Sequence, residues 1–195
     1  MNNKSIYILW TIILIITGCA AKETREPAIG HFDRTPILTP FYDKYWLLLE
    51  DFTYYLNSSG DKITVPAGFV SDLASVPDGA NAIFDQFGRY ASAALIHDYL
   101  YWEKIYSKSK SDKIIKDALK ATGVGYTARN SIKWGVKLFG DKSWKKNCSD
   151  RRKGYPRLVP VQYRRQFNVS TKWTKYRADL INKGITSNNI SQCEK

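Results

Sequence analysis

Tyr90-Ala91-Ser92-Ala93-Ala94-Leu95-Ile96-His97-Asp98-Tyr99-Leu100-Tyr101-Trp102 is the stretch on which the fold turns. Read at the period of an α-helix, Ala91, Ala94, Leu95 and Trp102 share one face, and Asp98 lies inside that apolar stripe. His97 sits on the adjoining stripe with Tyr90, Ala93, Ala94 and Tyr101. Two ionisable groups therefore occupy positions where the helix should bury apolar surface. A buried carboxylate costs several kcal/mol unless it meets a cation, a metal or hydrogen-bond donors, so Asp98 requires an answering group. An imidazole packed beside a tyrosine, with an acid from a neighbouring helix, is held in one tautomer and made basic. Asp112 and Asp117 are the two candidate acids, and helix-hairpin counting leaves both open. A His–Asp contact between helices also serves simply to satisfy two polar groups and fix packing, so a structural network is the competing interpretation.

Working outward, the pattern predicts helices over about Arg89 to Tyr106, Ser109 to Thr122 and Thr127 to Phe139. The second begins at Ser109 with Asp112 three residues on, and buries Ile114, Ile115, Ala118 and Leu119 before Gly123 stops it. The third sets Ala128, Ile132 and Val136 on one face, with Phe139 close by, and is expected to end at Gly140. Upstream, Tyr45 to Leu56 is rich in aromatic and branched residues. It leads through Asn57-Ser58-Ser59-Gly60-Asp61 into Ile63-Thr64-Val65, the pattern of a small antiparallel sheet. Val65 to Pro77 is broken by Pro, Gly and Ser and reads as a shaped loop, in which Asp72, flanked by Ser71 and Ser75, can face a pocket. The fold class is α+β: a small sheet followed by a compact three-helix region and a basic C-terminal extension.

The N-terminus has the parts of a secretory signal: Lys4, an apolar run of about eleven residues from Ile6 to Ile16, and small residues at the cut. A membrane-spanning helix needs ~20 residues. Ile16-Thr17-Gly18-Cys19 resembles a lipobox, which predicts cleavage before Cys19, lipid attachment to its thiol and a palmitate-bearing lipoprotein in the cell envelope. Two or three acyl chains suffice for stable anchoring at about 0.8 kcal/mol per buried CH2. Ala20 stands where an Asp would signal inner-membrane retention, which favours the outer membrane in a Gram-negative host. The expected organisation is a signal peptide at 1–18, a tether at 19–40 containing Pro27, Pro36 and Pro40, a domain at 41–144 and an extension at 145–195.

The net charge of +12 is uneven: residues 19–140 sum to +1 and residues 141–195 to +10. Trp144, Tyr155, Tyr163, Phe167, Trp173 and Tyr176 are interleaved with the C-terminal cations. That segment suits anionic lipid headgroups, or stands as a solvated extension; an exported chain has little occasion to meet nucleic acid. With Cys19 lipidated, Cys148 and Cys193 remain as one candidate disulfide. The sequence has two histidines, one of them His31 in the tether, and lacks the paired spacing of a zinc enzyme.

Three ordered motifs carry a family resemblance: Val65-Pro66-Ala67-Gly68-Phe69 with Ser71-Asp72-Leu73-Ala74-Ser75-Val76-Pro77, then Ala93 to Tyr101, then Ser111-Asp112. Over roughly residues 41 to 144 the chain resembles the phage and bacterial family termed domain of unknown function 1353, which implies a prophage setting and selects Asp112 as the acid facing His97. Ser71 fits the family pattern, whereas Asp78 stands where an Arg commonly follows the loop's last proline. His97-Asp98-x-x-Tyr101 is also similar to the helix of secreted phospholipases of the A2 type. That similarity implies a hydrolase in which His97 activates water, Asp112 orients it and Tyr101 supports the acid, while Asp98, here with Asp72, holds calcium. The flanking cysteines of that motif are replaced by Ala93, Ala94 and Leu100, and its glycine-rich calcium loop is absent. The expectation is an envelope lipoprotein that hydrolyses lipid or cell-wall material. A non-catalytic lipoprotein that binds a surface partner, for example to exclude a second phage, is its rival.

Overall fold

The computed structural model describes residues 30–56, 60–73, 88–187 and 193. The signal, Cys19, the start of the tether, part of the expected turn at 57–59 and the loop from Ala74 through Asp78 lie outside the described residues. Six short strands and four helices are described: β1 (Gly30–Phe32), β2 (Leu38–Pro40), β3 (Trp46–Leu48), β4 (Phe52–Leu56), β5 (Lys62–Val65), β6 (Val70–Ser71), α1 (Ala91–Glu103), α2 (Lys108–Ala121), α3 (Tyr126–Arg152) and α4 (Trp173–Asn182). The strands form two antiparallel three-stranded sheets, ordered β1-β4-β5 and β2-β3-β6, so the α+β expectation holds.

The β4–β5 hairpin pairs Phe52 with Val65 and Tyr54 with Ile63 across one face, and all four side chains are buried. This face meets α1 and α2 in the larger core, which holds Leu95, Ile96, Leu100, Ile114, Ala118 and Leu119. Helix α1 is enclosed nearly all round, since Ala93, Ala94, Leu95, Ile96, His97, Leu100, Tyr101 and Trp102 are all buried. It ends at Lys104, whose left-handed backbone lets its N–H reach the Leu100 carbonyl. The expected start of α2 moves: Ser107 is the cap, its hydroxyl accepting from Lys110 N at 3.3 Å, because Ser107 has the extended backbone a cap requires whereas Ser109 is already inside the helix. The predicted buried face of α2 is as expected, and Gly123 at φ +72° turns the chain out of it.

Three expectations are corrected. Residues 30–40, assigned to the tether, contribute β1 and β2, because Gly30, His31 and Phe32 find a ready edge in Leu56, Tyr55 and Tyr54. Gly140 does not end α3, which runs twelve residues further to Arg152. A Cβ at Gly140 would lie 2.6 Å from the Tyr101 hydroxyl and 3.1 Å from Lys108 Nζ, so the glycine serves close approach to α1 and α2. Phe139 is about half exposed instead of packing with Ile132 and Val136.

The C-terminal segment, read as a solvated extension or a lipid-binding tail, builds a second core. Trp173, Tyr176, Leu180 and Val159 pack with Phe41, Leu47 and Val70 of the β2-β3-β6 sheet, with Phe167 stacked on Phe41 at 4.3 Å. Asp43, in the β2–β3 connection, accepts from the N–H groups of Trp173 at 2.9 Å and Thr174 at 3.4 Å, capping α4 from 130 residues away. Gly68 explains the middle of the Val-Pro-Ala-Gly-Phe motif. Its φ is +92°, a Cβ there would collide with the Val159 carbonyl, and Val159 N donates to the Gly68 carbonyl at 2.9 Å. Cys148 and Cys193 form a disulfide that ties the end of the chain to α3. Trp173→Ala should cost about 3–5 kcal/mol of unfolding free energy, measured by urea titration, whereas a solvated tail would show no change.

Candidate functional site

Helix α1 presents His97 and Asp98 about 100° apart, and each side chain meets a different neighbouring element. On the α2 side, the Asp112 carboxylate collects three donors: His97 Nε2 at 3.3 Å and the Tyr101 hydroxyl at 2.5 Å, both to Oδ1, and Lys108 Nζ at 2.8 Å to Oδ2. Lys108 also reaches Asp141 of α3 at 3.3 Å. The imidazole lies tilted on the Tyr101 ring at 4.0 Å, and Trp144 of α3 closes edge-on against Tyr101 at 5.1 Å. Trp144 is fixed in turn by Lys104, whose ammonium sits 3.2 Å from the ring centroid and donates to the Trp144 carbonyl at 3.0 Å. Burial, with Arg151 nearby, pushes that lysine down to about 8.

The electrostatics of this cluster suit a neutral base. Burial lowers His97 below the usual imidazole range, and the opposing pull of Asp112 does not restore it. Burial alone would raise Asp112, but hydrogen bonds from His97, Lys108 and Tyr101 hold it below the usual carboxylate range. Beside an ionised Asp112, only the tautomer with the proton on Nε2 makes a favourable contact, which leaves the lone pair on Nδ1. Asp117, the other candidate acid, lies instead toward Tyr54 on the sheet side of α2 and helps raise the pKa of that phenol.

Asp98 faces the other way. Its carboxyl accepts from Ser71 Oγ at 2.5 Å, hydrogen-bonds the carboxyl of Asp72, and lies near the buried Arg157 guanidinium. Ser71 Oγ also accepts from Leu73 N at 2.9 Å, so the end of β6 is folded around the aspartate. Burial and the neighbouring Asp72 push Asp98 up to about 8, so the two carboxyls share a proton near neutral pH. Asp72 and Asp98 were the expected calcium ligands. Calcium takes ~6–8 oxygens, but the described residues bring two carboxyls and one hydroxyl together here, opposite an arginine. Among the described residues no group of three or more His, Cys, Asp and Glu side chains is placed to hold a metal ion. Residues 74–87, which follow directly on this cluster, lie outside the described residues.

The expected constellation is thus divided into two clusters. His97, Tyr101 and Asp112 come together on one side of α1, and Asp98, Asp72 and Ser71 on another. Sequence reasoning missed Lys108, although its spacing of four residues before Asp112 is a recognisable helical ion pair. It also missed Trp144 and Arg157, which arrive from far along the chain and leave no local signal. His31 stacks on Tyr55 in the first sheet, away from both clusters.

A raised acid pKa has a defined sign in stability. Asp98 keeps its proton in the folded chain up to about pH 8, but loses it above ~4 when unfolded. Its contribution is therefore complete below pH ~4 and is lost as pH rises through about 8. The melting temperature of Asp98→Asn should fall less than that of the parent between pH 5 and pH 8, and an identical pH dependence would refute the shared proton. Neither a curated protein nor a solved structure matches the chain. Residues 46–136, which carry Asp72, His97, Asp98, Tyr101 and Asp112, match the family described as protein of unknown function (DUF1353).

Proposed function

We propose that this protein is a lipid-anchored hydrolase of the bacterial cell envelope, with His97 as general base, Asp112 as the group that orients it, and lipid or cell-wall material as substrate. The observation that carries the proposal is the convergence of His97, Tyr101 and Lys108 on the one carboxylate of Asp112. Three donors fix that carboxylate, the carboxylate fixes the imidazole tautomer, and burial keeps the ring neutral. In the reaction, Nδ1 takes a proton from water as the oxygen attacks an ester or amide carbonyl. Asp112 stabilises the imidazolium, which returns the proton to the leaving oxygen or nitrogen as the tetrahedral intermediate collapses. The lipid anchor rests on the Ile16-Thr17-Gly18-Cys19 motif, and it places the domain beside both substrate classes.

One observation favours the rival reading of a non-catalytic envelope lipoprotein: the His97 side chain is only 8 % exposed. There the same bonds would be a packing network. The two readings separate in an ester-hydrolysis assay on purified protein. His97→Gln should lower kcat/KM by about 100-fold or more while the fold is retained, and Tyr101→Phe should lower it less, about tenfold. Because activity requires neutral His97, the acid limb of the pH profile should lie below the ordinary imidazole value of ~6.5. A parent with no turnover on lipid or peptidoglycan esters and amides, whose variants only melt earlier, would establish the packing network instead.

A further inference from the structure

Helix α3 has one face that the fold does not cover. Ala128, Ile132 and Val136 pack on the larger core, while Trp134 and Leu138, on the opposite side, are 59 % and 67 % exposed, and Phe139 is 49 % exposed. Trp134 and Leu138, two large apolar side chains one turn apart and both facing solvent, are unusual in a chain whose other tryptophans, where described, are buried or half-buried. Exposed lysines surround them: Lys133 and Lys137 on one flank, and Lys142, Lys145 and Lys146 over the next two turns. From Tyr126 to Lys146 the helix has six basic residues and one acid, Asp141, which is paired with Lys108, while Lys146 is itself paired with Asp150 on the next turn. Lys137 Nζ lies 5.1 Å from the Trp134 ring, so charge and indole form one patch.

We infer that this face of α3 docks on an anionic lipid bilayer, with Trp134 and Leu138 entering the headgroup region and the flanking lysines pairing with lipid phosphates. The charge selects the partner: an apolar face meant for a second copy of the chain would bring like-charged lysines together, whereas anionic headgroups neutralise them. Indole rings favour the boundary between acyl chains and headgroups, and lysine stems reach from that depth back to the surface. No helix among the described residues is long and apolar enough to cross a membrane, so the association is superficial. The same helix approaches Tyr101 and Lys108 at Gly140, on the side turned away from Trp134 and Leu138, so α3 stands between the His97 cluster and the docking face. On the hydrolase reading, docking on lipid favours membrane lipid as the substrate class; the docking itself stands without that reading.

The test is co-sedimentation of the chain beginning at Ala20, which lacks the signal and Cys19 but keeps every described strand and helix. The vesicles are phosphatidylglycerol and phosphatidylcholine in equal parts, or phosphatidylcholine alone. The parent should bind the anionic vesicles and release them as salt rises. Trp134→Ser with Leu138→Ser should weaken binding by roughly tenfold or more at unchanged melting temperature, whereas Lys172→Glu with Lys175→Glu at the start of α4 should leave most of it. Failure of the parent to bind, equal binding to both vesicles, or undiminished binding by the α3 variant would each overturn the inference. Self-association abolished by the same variant, without vesicle binding, would give the face to a second copy. Turnover does not enter this measurement, so its outcome is distinct from that of the hydrolysis assay.

Discussion

The constraint that organises this molecule is the placement of two neighbouring titratable side chains, His97 buried and Asp98 half-buried, in one enclosed helix. Neither His97 nor Asp98 can be left unanswered at that depth, and because they leave α1 in different directions, one neighbour cannot answer both. Helix α2 supplies Asp112 to the histidine, and the end of β6 supplies Ser71 and Asp72 to the aspartate. The two elements that flank α1 are thus held by polar bonds as well as by the apolar core. Displacing either one exposes a mismatched polar group, and this gives the packing a specificity that leucine and isoleucine contacts alone would not provide.

Those polar bonds differ in character. Around Asp112 the charges are complementary, with an ammonium and a phenol satisfying a carboxylate that remains ionised. Around Asp98 two acids meet beside one arginine, and burial together with the second acid leaves a proton between them. An arrangement that favours the anion lies within one helical turn of an arrangement that favours the neutral acid. Paired environments of opposite tendency are the pattern by which a protein keeps one group basic and another acidic at the same pH.

What the sequence disclosed follows the distance over which its signals act. The helices and the buried face of α2 were legible because their periodicity is local, and the β4–β5 hairpin because turn residues separate two β-rich runs. Tyr101 lies on the same turn of helix as His97 and was equally plain. Choosing Asp112 over Asp117 required the family resemblance, since both residues lie on α2 and a one-residue change at the α1–α2 connection alters which one faces back. Gly140 was misread because a helical glycine usually marks an end, and only the Tyr101 hydroxyl and Lys108 reveal why it stands mid-helix here. The second core was invisible. Its aromatics are diluted among cations in a segment whose composition matches a solvated tail, and their partners, Phe41, Leu47 and Val70, precede them by about ninety residues or more.

The cap that Asp43 places on α4 has a consequence for how the chain matures. A loop near the start of the domain and a helix near its end complete one another, so the β2-β3-β6 layer stays open on one side until residues 173 to 180 have been delivered. Contacts of such sequence separation form slowly and leave apolar surface bare in the interval. Synthesis that halts before Leu180 therefore yields a product with a wet, sticky flank, and quality control has a ready means of telling a finished molecule from an unfinished one.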